Sequence, residues 1–222
     1  MNIASYIDHT VLKPETSLAE LEQVCRESVE YGFAAVCIPP PFVKRAKIIL
    51  APTDVKVATV IGFPFGYSAT EAKVAEAVLS LVDGADELDM VINLVALKMK
   101  DWDFLKREIS LLVEVTHKNN GLLKLIIESG ILSEEEILAC CEHFGGLGID
   151  YMKTSTGYAA KGATLKAVRL MRLALPKGVR IKASGGIRDY ETAKAYIESG
   201  ADRLGCSASV AIVKGGDNLT LS

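Results

Sequence analysis

Eight apolar cores alternating with amphipathic segments predict an α/β chain folded as a (β/α)8 TIM barrel, a single domain over residues 1–222. Three observations carry that expectation. A helix–glycine–strand unit recurs along the chain, no linker-like break interrupts it, and polar residues collect where the strands would end. An open doubly wound sheet is the competing architecture. It needs fewer strands and usually a phosphate loop after the first, and "IDHTVLKP" has no glycine there.

The first strand is "SYIDH". In "SLAELEQVCRESVEYG", Leu18, Leu21, Val24, Cys25 and Val29 recur with helical period. Ser17 and Glu20 form a capping box and Gly32 is a C-terminal stop. Strand two, "AAVCI", follows at once, and "VKVATVI" is the third. "AVLSLVDG" leads into strand four, "ELDMVI", and "LKLIIE" is the fifth. Ser133 and Glu136 repeat the capping arrangement before "ILACCEHFGG", and strand six, "DYMKT", comes next. "VRIKAS" is the seventh, and "AKAYIESG" leads into the eighth, "DRLGCS". An apolar fraction of 50% suits a parallel sheet buried on both faces.

Composition excludes several classes of partner. A net charge of −3 with scattered basic residues offers no general attraction to nucleic acid or to an anionic membrane. No apolar run reaches 18 residues, and "MNIASYIDH" carries an acid where a signal peptide would be apolar, so the expected location is cytoplasmic. Cys25, Cys37, Cys140, Cys141 and Cys206 lack framework spacing and read as free thiols. His9, His117 and His143 match no zinc spacing, so no metal site is expected.

Barrel chemistry sits at the C-terminal ends of strands, where Asp8, Asp89, Glu128, Lys153, Lys182 and Ser207 gather. Lys153 and Lys182 close strands six and seven, which are neighbours in a barrel. A lone strand lysine commonly snorkels or pairs with an acid. Two at matched positions, each leading into small residues and glycine, point to chemistry. Like charge and desolvation both lower a lysine pKa, and a neutral amine is what a Schiff-base nucleophile requires. Alternation turns Asp89 inward, where its carboxylate can hold an ammonium and relay protons. Asp8 either does similar work beside strand eight or makes a strand-end hydrogen bond in "DHT". Glu87 and Asp86 are expected to face solvent, and Cys37 reads as a small buried hydrophobe.

Two turns suggest a phosphate site. "ASGGIR" offers backbone N–H groups at Gly185 and Gly186, and "GCSAS" offers Ser207 with the start of a final helix. "VIGFPFGYS" after strand three reads as an apolar lip over the pocket, unless its glycines serve turn geometry only.

These residues also carry a family resemblance. "IDHTVLKP", "GFAAVCI", "KVATVIGFP", "EAKVAEA", "DGADELDMVIN", "LKLIIES", "YMKTSTG", "KASGGIR" and "GADRLG" resemble the deoxyribose-phosphate aldolases over essentially the whole chain. The resemblance implies reversible, metal-free cleavage of 2-deoxy-D-ribose 5-phosphate to acetaldehyde and D-glyceraldehyde 3-phosphate, with no cofactor. It further implies Lys153 as the Schiff-base lysine, Lys182 as the second lysine, Asp89 as the acid/base carboxylate and Asp8 as a supporting one. Gly157, Gly185, Gly186 and Ser207 fall at phosphate-binding positions, and Thr156 near the substrate hydroxyls. Family members form dimers or larger assemblies, which implies a homo-oligomer, dimer or tetramer. Departures from the family pattern are Val95, Pro39, Tyr158, the Cys206, Ala208 and Ser209 set, and the ending "NLTLS". A Schiff-base aldolase or transaldolase-like enzyme with another donor is the nearest rival. Non-covalent barrel enzymes, sugar-phosphate binders and purely structural barrels are the others.

Overall fold

The computed structural model describes residues 2–220; Met1, Leu221 and Ser222, the last two closing "NLTLS", lie outside the described residues. Eight parallel strands close into a barrel in chain order, with the first paired to the last. They are β1 (Ile7–Thr10), β2 (Ala35–Ile38), β3 (Lys56–Ile61), β4 (Glu87–Val91), β5 (Leu122–Ile126), β6 (Tyr151–Lys153), β7 (Arg180–Ser184) and β8 (Arg203–Cys206). Six fall within the cores read from sequence, while β1 runs one residue past its core to Thr10 and β5 begins one residue before its core, at Leu122. Ser5 and Tyr6, expected in the first strand, belong instead to a 3-10 turn over Ile3–Tyr6.

The helices form the outer layer. α1 (Leu18–Tyr31), α2 (Val43–Leu50) and α3 (Thr70–Val82) follow the first three strands, and α4 (Leu94–Lys98) with α5 (Trp102–Lys118) follow the fourth. α6 (Glu134–Phe144), α7 (Leu165–Ala174), α8 (Tyr190–Glu198) and α9 (Ser209–Thr220) complete the ring. Both capping boxes form, at Ser17–Glu20 and Ser133–Glu136. Such a cap contributes about 1 kcal/mol by satisfying amides that lack helical partners. Gly32 ends α1 at φ 68°, a left-handed conformation that a Cβ disfavours. The expected face of α1 is partly wrong. Leu18 and Val29 are exposed, and Ser28 is buried in their stead by donating its hydroxyl to the Val24 carbonyl at 2.7 Å.

Period-two alternation divides the strands between two cores. Val36, Ile38, Leu88, Met90, Leu123, Leu125, Met152 and Ile181 join the main core under the helices. Ala35, Cys37, Ala58 and Val60 form a separate cluster on β2 and β3. Val91 and Ile126, buried and in neither cluster, share the interior face with Asp89 and Lys124 by the same alternation. Outside the barrel, a fully buried ion pair joins Lys73 of α3 to Glu108 of α5 at 2.9 Å. Lys73 Nζ also donates to the Val91 carbonyl at 3.0 Å, which fixes the helix layer to the C-terminal end of β4. All five cysteines are free and buried. No helix among the described residues is long and apolar enough to cross a membrane.

Candidate active site

The other side of the barrel interior carries charged side chains, and closure brings the charges together. Lys153 and Lys182 are register partners on β6 and β7, and Asp89 and Lys124 are partners on β4 and β5. Asp89 is the hub. Its Oδ2 accepts from Lys153 Nζ and from Lys182 Nζ, both at 2.7 Å, and its Oδ1 accepts from Lys124 Nζ at 2.7 Å. Asp8 lies against Gly205 of β8, accepts from Lys182 through Oδ2, and accepts from Arg203 through Oδ1 at 2.6 Å. Below them Glu87 pairs with Lys124 at 2.5 Å, and Arg203 donates to the Tyr151 hydroxyl at 3.3 Å. Gly205 makes room for this arrangement: a Cβ there would stand 3.1 Å from Lys182 Cε and 2.9 Å from Ser184 Cβ.

This corrects two expectations. Glu87 is buried, because the alternation that turns Asp89 inward also turns in the residue two positions earlier. Asp86 is half-buried and anchored, accepting from Lys47 at 2.7 Å and from the Val57 amide at 2.9 Å. Lys124 and Arg203 were not read from sequence at all. The signal for Lys124 was present, since it stands between Leu123 and Leu125 in an otherwise apolar strand.

The electrostatics separate the three lysines. Burial opposes charge on all of them, but Asp89, Glu87 and Asp8 raise Lys124, and Asp8 and Asp89 raise Lys182, so both stay protonated. Lys153 alone is pushed down. Burial is the main cause, the Lys182 charge adds to it, and Asp89 opposes it. Burial likewise disfavours the Asp89 and Asp8 carboxylates, yet the surrounding cations outweigh it and hold both well below the usual range. Burial raises the Cys37 thiol, so it remains a small apolar neighbour of Asp89. Charge counting agrees. Lys124, Lys153, Lys182 and Arg203 face only Asp8, Glu87 and Asp89, so the buried network is neutral when one of the amines is neutral.

Lys153 is also the one lysine of the three that reaches open space. It lines a cavity of about 220 Å³ with Thr156, Gly157, Gly185, Gly186, Arg188 and Ser207. Asp8, Asp89, Lys124 and Lys182 lie beneath, fully buried. Gly185 and Gly186 have φ of 90° and 86°, so a side chain at either would strain the turn. A Cβ on Gly186 would meet no atom within 4 Å, which leaves its backbone open to a ligand. α9 begins at Ser209, whose hydroxyl donates to the Cys206 carbonyl, while Ser207 stays exposed on the cavity. Arg188 supplies a cation at this end of the cavity that sequence reading overlooked.

Tyr158, one of the sequence departures, ties three loops together over the mouth. Its hydroxyl donates to the Leu12 carbonyl at 2.9 Å, and its ring meets Phe63 edge-on with centroids 5.4 Å apart. Phe63 is thus part of the expected lip, whereas Phe65 stacks on Tyr67 with both rings exposed. Pro39 lines a neighbouring cavity of about 340 Å³ with Leu12 and Phe63, and Val95 is exposed on α4. Among the described residues no group of three or more His, Cys, Asp or Glu side chains is placed to hold a metal ion.

A closed (β/α)8 barrel presenting a desolvated lysine amine at the C-terminal mouth of its strands defines a Schiff-base lyase of the aldolase class. The chain belongs to the DeoC/LacD family aldolases, whose family model matches residues 2–213. It is 51% identical to the deoxyribose-phosphate aldolase of Thermococcus gammatolerans over 98% of both chains. Among solved structures it is similar to an aldolase designated QR15, with TM-score 0.93 and 43% identity, covering 99% of this chain and 97% of that one. It is also similar to the deoxyribose phosphate aldolase of Aeropyrum pernix, described as having a unique tetrameric structure. That similarity has TM-score 0.91 and 31% identity, covering 98% and 92% of the two chains.

Proposed function

We propose that this chain cleaves 2-deoxy-D-ribose 5-phosphate reversibly to acetaldehyde and D-glyceraldehyde 3-phosphate, with Lys153 as the Schiff-base nucleophile in a single domain over residues 1–222. One observation carries the reading. Of the three lysines buried inside the barrel, only Lys153 reaches the cavity and only its basicity is lowered. The name of the half-identical Thermococcus relative supports the substrate.

The Lys153 amine adds to the C1 aldehyde, and loss of water leaves an iminium ion. The C3 hydroxyl gives up its proton, the C2–C3 electrons flow to the iminium nitrogen, and D-glyceraldehyde 3-phosphate departs. The remaining enamine takes a proton at C2, and water then hydrolyses the iminium to release acetaldehyde and the free amine. Asp89 Oδ2 touches both Lys153 and Lys182, so it is the group through which protons pass between them. Asp8 acts one step back, by holding Lys182 charged. The phosphate lies against Gly157, Gly185, Gly186 and Ser207 with Arg188 as counter-charge, and anchors the substrate away from the breaking bond.

Acetaldehyde with borohydride should leave a stable ethyl adduct that peptide mass mapping finds on Lys153. An adduct on Lys182 would reverse the two lysine roles. No adduct on a protein that still cleaves substrate would end the aldolase reading. Gly186→Val should lower kcat/KM for deoxyribose 5-phosphate at least about tenfold more than for unphosphorylated deoxyribose, because it crowds the anion and not the reacting carbon. Equal losses would put the phosphate elsewhere.

The chain is further proposed to self-associate. The α3 surface supports this, exposing Val78, Leu79 (65%) and Val82 (75%), as does the tetrameric Aeropyrum relative. A monomer mass by light scattering would exclude it. Cytoplasmic residence is proposed on the strength of the five free thiols, and cell fractionation tests it.

A further inference from the structure

The buried side chain of Glu128 has no part in the chemistry above. Glu128 follows β5 at φ 54° and ψ 56°, a left-handed conformation uncommon outside glycine. The chain on either side of it is fixed to the segment after Lys153. Ile127 N–H donates to the Lys153 carbonyl at 3.1 Å, and Ser129 N–H donates to the Thr154 carbonyl at 2.7 Å. Glu128 itself is 3% exposed. Its Oε2 accepts from the Thr156 hydroxyl, and the Thr156 amide approaches Oε1 and Oε2 at 3.4 and 3.3 Å.

The consequence lies in the hydrogen-bond inventory of Thr156. A hydroxyl has one proton to donate and two lone pairs to accept with, whereas a carboxylate only accepts. The Thr156 proton is committed to Glu128. One lone pair accepts from the Tyr158 amide at 3.0 Å. What Thr156 has left is a single lone pair, and Thr156 lines the same cavity as Lys153 and Gly157. We propose that Glu128 is a positioning residue that fixes the Thr156 hydroxyl as a hydrogen-bond acceptor toward the cavity. The Glu128–Thr156 pair then selects acceptor aldehydes that carry a hydroxyl next to the carbonyl. This rests on the aldolase reading above. A Thr156 hydroxyl free to rotate would serve a substrate carbonyl or phosphate oxygen equally well; held by Glu128, it accepts only from a donor. An amide at position 128 can both donate and accept, so it releases that constraint.

The test compares kcat/KM for adding acetaldehyde to D-glyceraldehyde 3-phosphate and to 3-oxopropyl phosphate, the same aldehyde without its 2-hydroxyl. The ratio cancels any loss common to both substrates. The unaltered protein should prefer the hydroxylated aldehyde by about tenfold or more. Glu128→Gln should reduce that preference to within about threefold, chiefly through KM for the hydroxylated aldehyde. Thr156→Ser should retain the preference and Thr156→Val should lose it. An unaltered ratio in Glu128→Gln overturns the proposal, as does a protein with no preference to lose. Should Glu128→Gln not fold, equal ratios in the Thr156→Ser and Thr156→Val proteins overturn it instead. Borohydride trapping of acetaldehyde on the unaltered protein separates the two levels. If the protein neither traps nor adds acetaldehyde, the aldolase reading itself fails. If it does both while Glu128→Gln leaves the ratio alone, only the role of Glu128 falls.

Discussion

Lys153→Ala is expected to reduce cleavage of deoxyribose 5-phosphate by about 10⁴-fold or more, because the iminium electron sink is lost altogether. The protein should nevertheless fold normally. Removing Lys153 leaves Lys124, Lys182 and Arg203 against Asp8, Glu87 and Asp89, a balanced set. The vacated volume opens onto the existing cavity and is not sealed in the core. Its melting temperature should therefore lie within about 4 °C of the parent protein, the shift produced by roughly 1 kcal/mol. Thermal melting beside an activity assay checks both halves. Residual activity above about one per cent with a normal melt would show that another group forms the covalent intermediate.

The strands were legible because most of the β cores are short apolar runs that follow a helix and a glycine, and barrel closure adds no new local pattern. Lys153, Lys182 and Asp89 were legible for a related reason: a charge inside an apolar strand has few bland explanations. Glu87 and Lys124 carry the same signature. Glu87 was grouped with Asp86 as solvent-facing although alternation pairs it with Asp89, and Lys124 was passed over because Glu128 stood as the polar residue at the end of its strand. The contacts themselves lie beyond any local pattern. Asp89 on β4 meets Lys153 on β6 and Lys182 on β7 across the interior, although neither strand is its neighbour. Which lysine reaches the cavity likewise depends on strand stagger, and the clasp between Tyr158, Phe63 and Leu12 joins loops far apart in sequence.

The stagger also sets the second large effect, which distinguishes Lys182 from Lys153. Lys182→Ala is expected to lower activity near neutral pH by about 10²-fold or more, the range of a lost proton-transfer group. It should also move the acid limb of the pH–rate profile to higher pH. Two causes act in the same direction. The like charge that helps depress Lys153 disappears, so the Lys153 pKa rises. In addition, Asp8 and Asp89 lose a shared cation, leaving Lys124 and Arg203 to face three carboxylates. Protonating Lys153 restores neutrality, which raises its pKa further. The reactive form is the neutral amine, so its fraction at a given pH falls, and the lost rate returns in part as pH climbs through the raised pKa. kcat/KM measured across pH reads this limb in the free enzyme. The adduct should still form on Lys153 when trapping is done at high pH. A profile that keeps its parental shape, with activity merely scaled down, would mean that Lys182 serves proton transfer alone. A Lys182→Ala protein that traps nothing at any pH would make Lys182 the nucleophile.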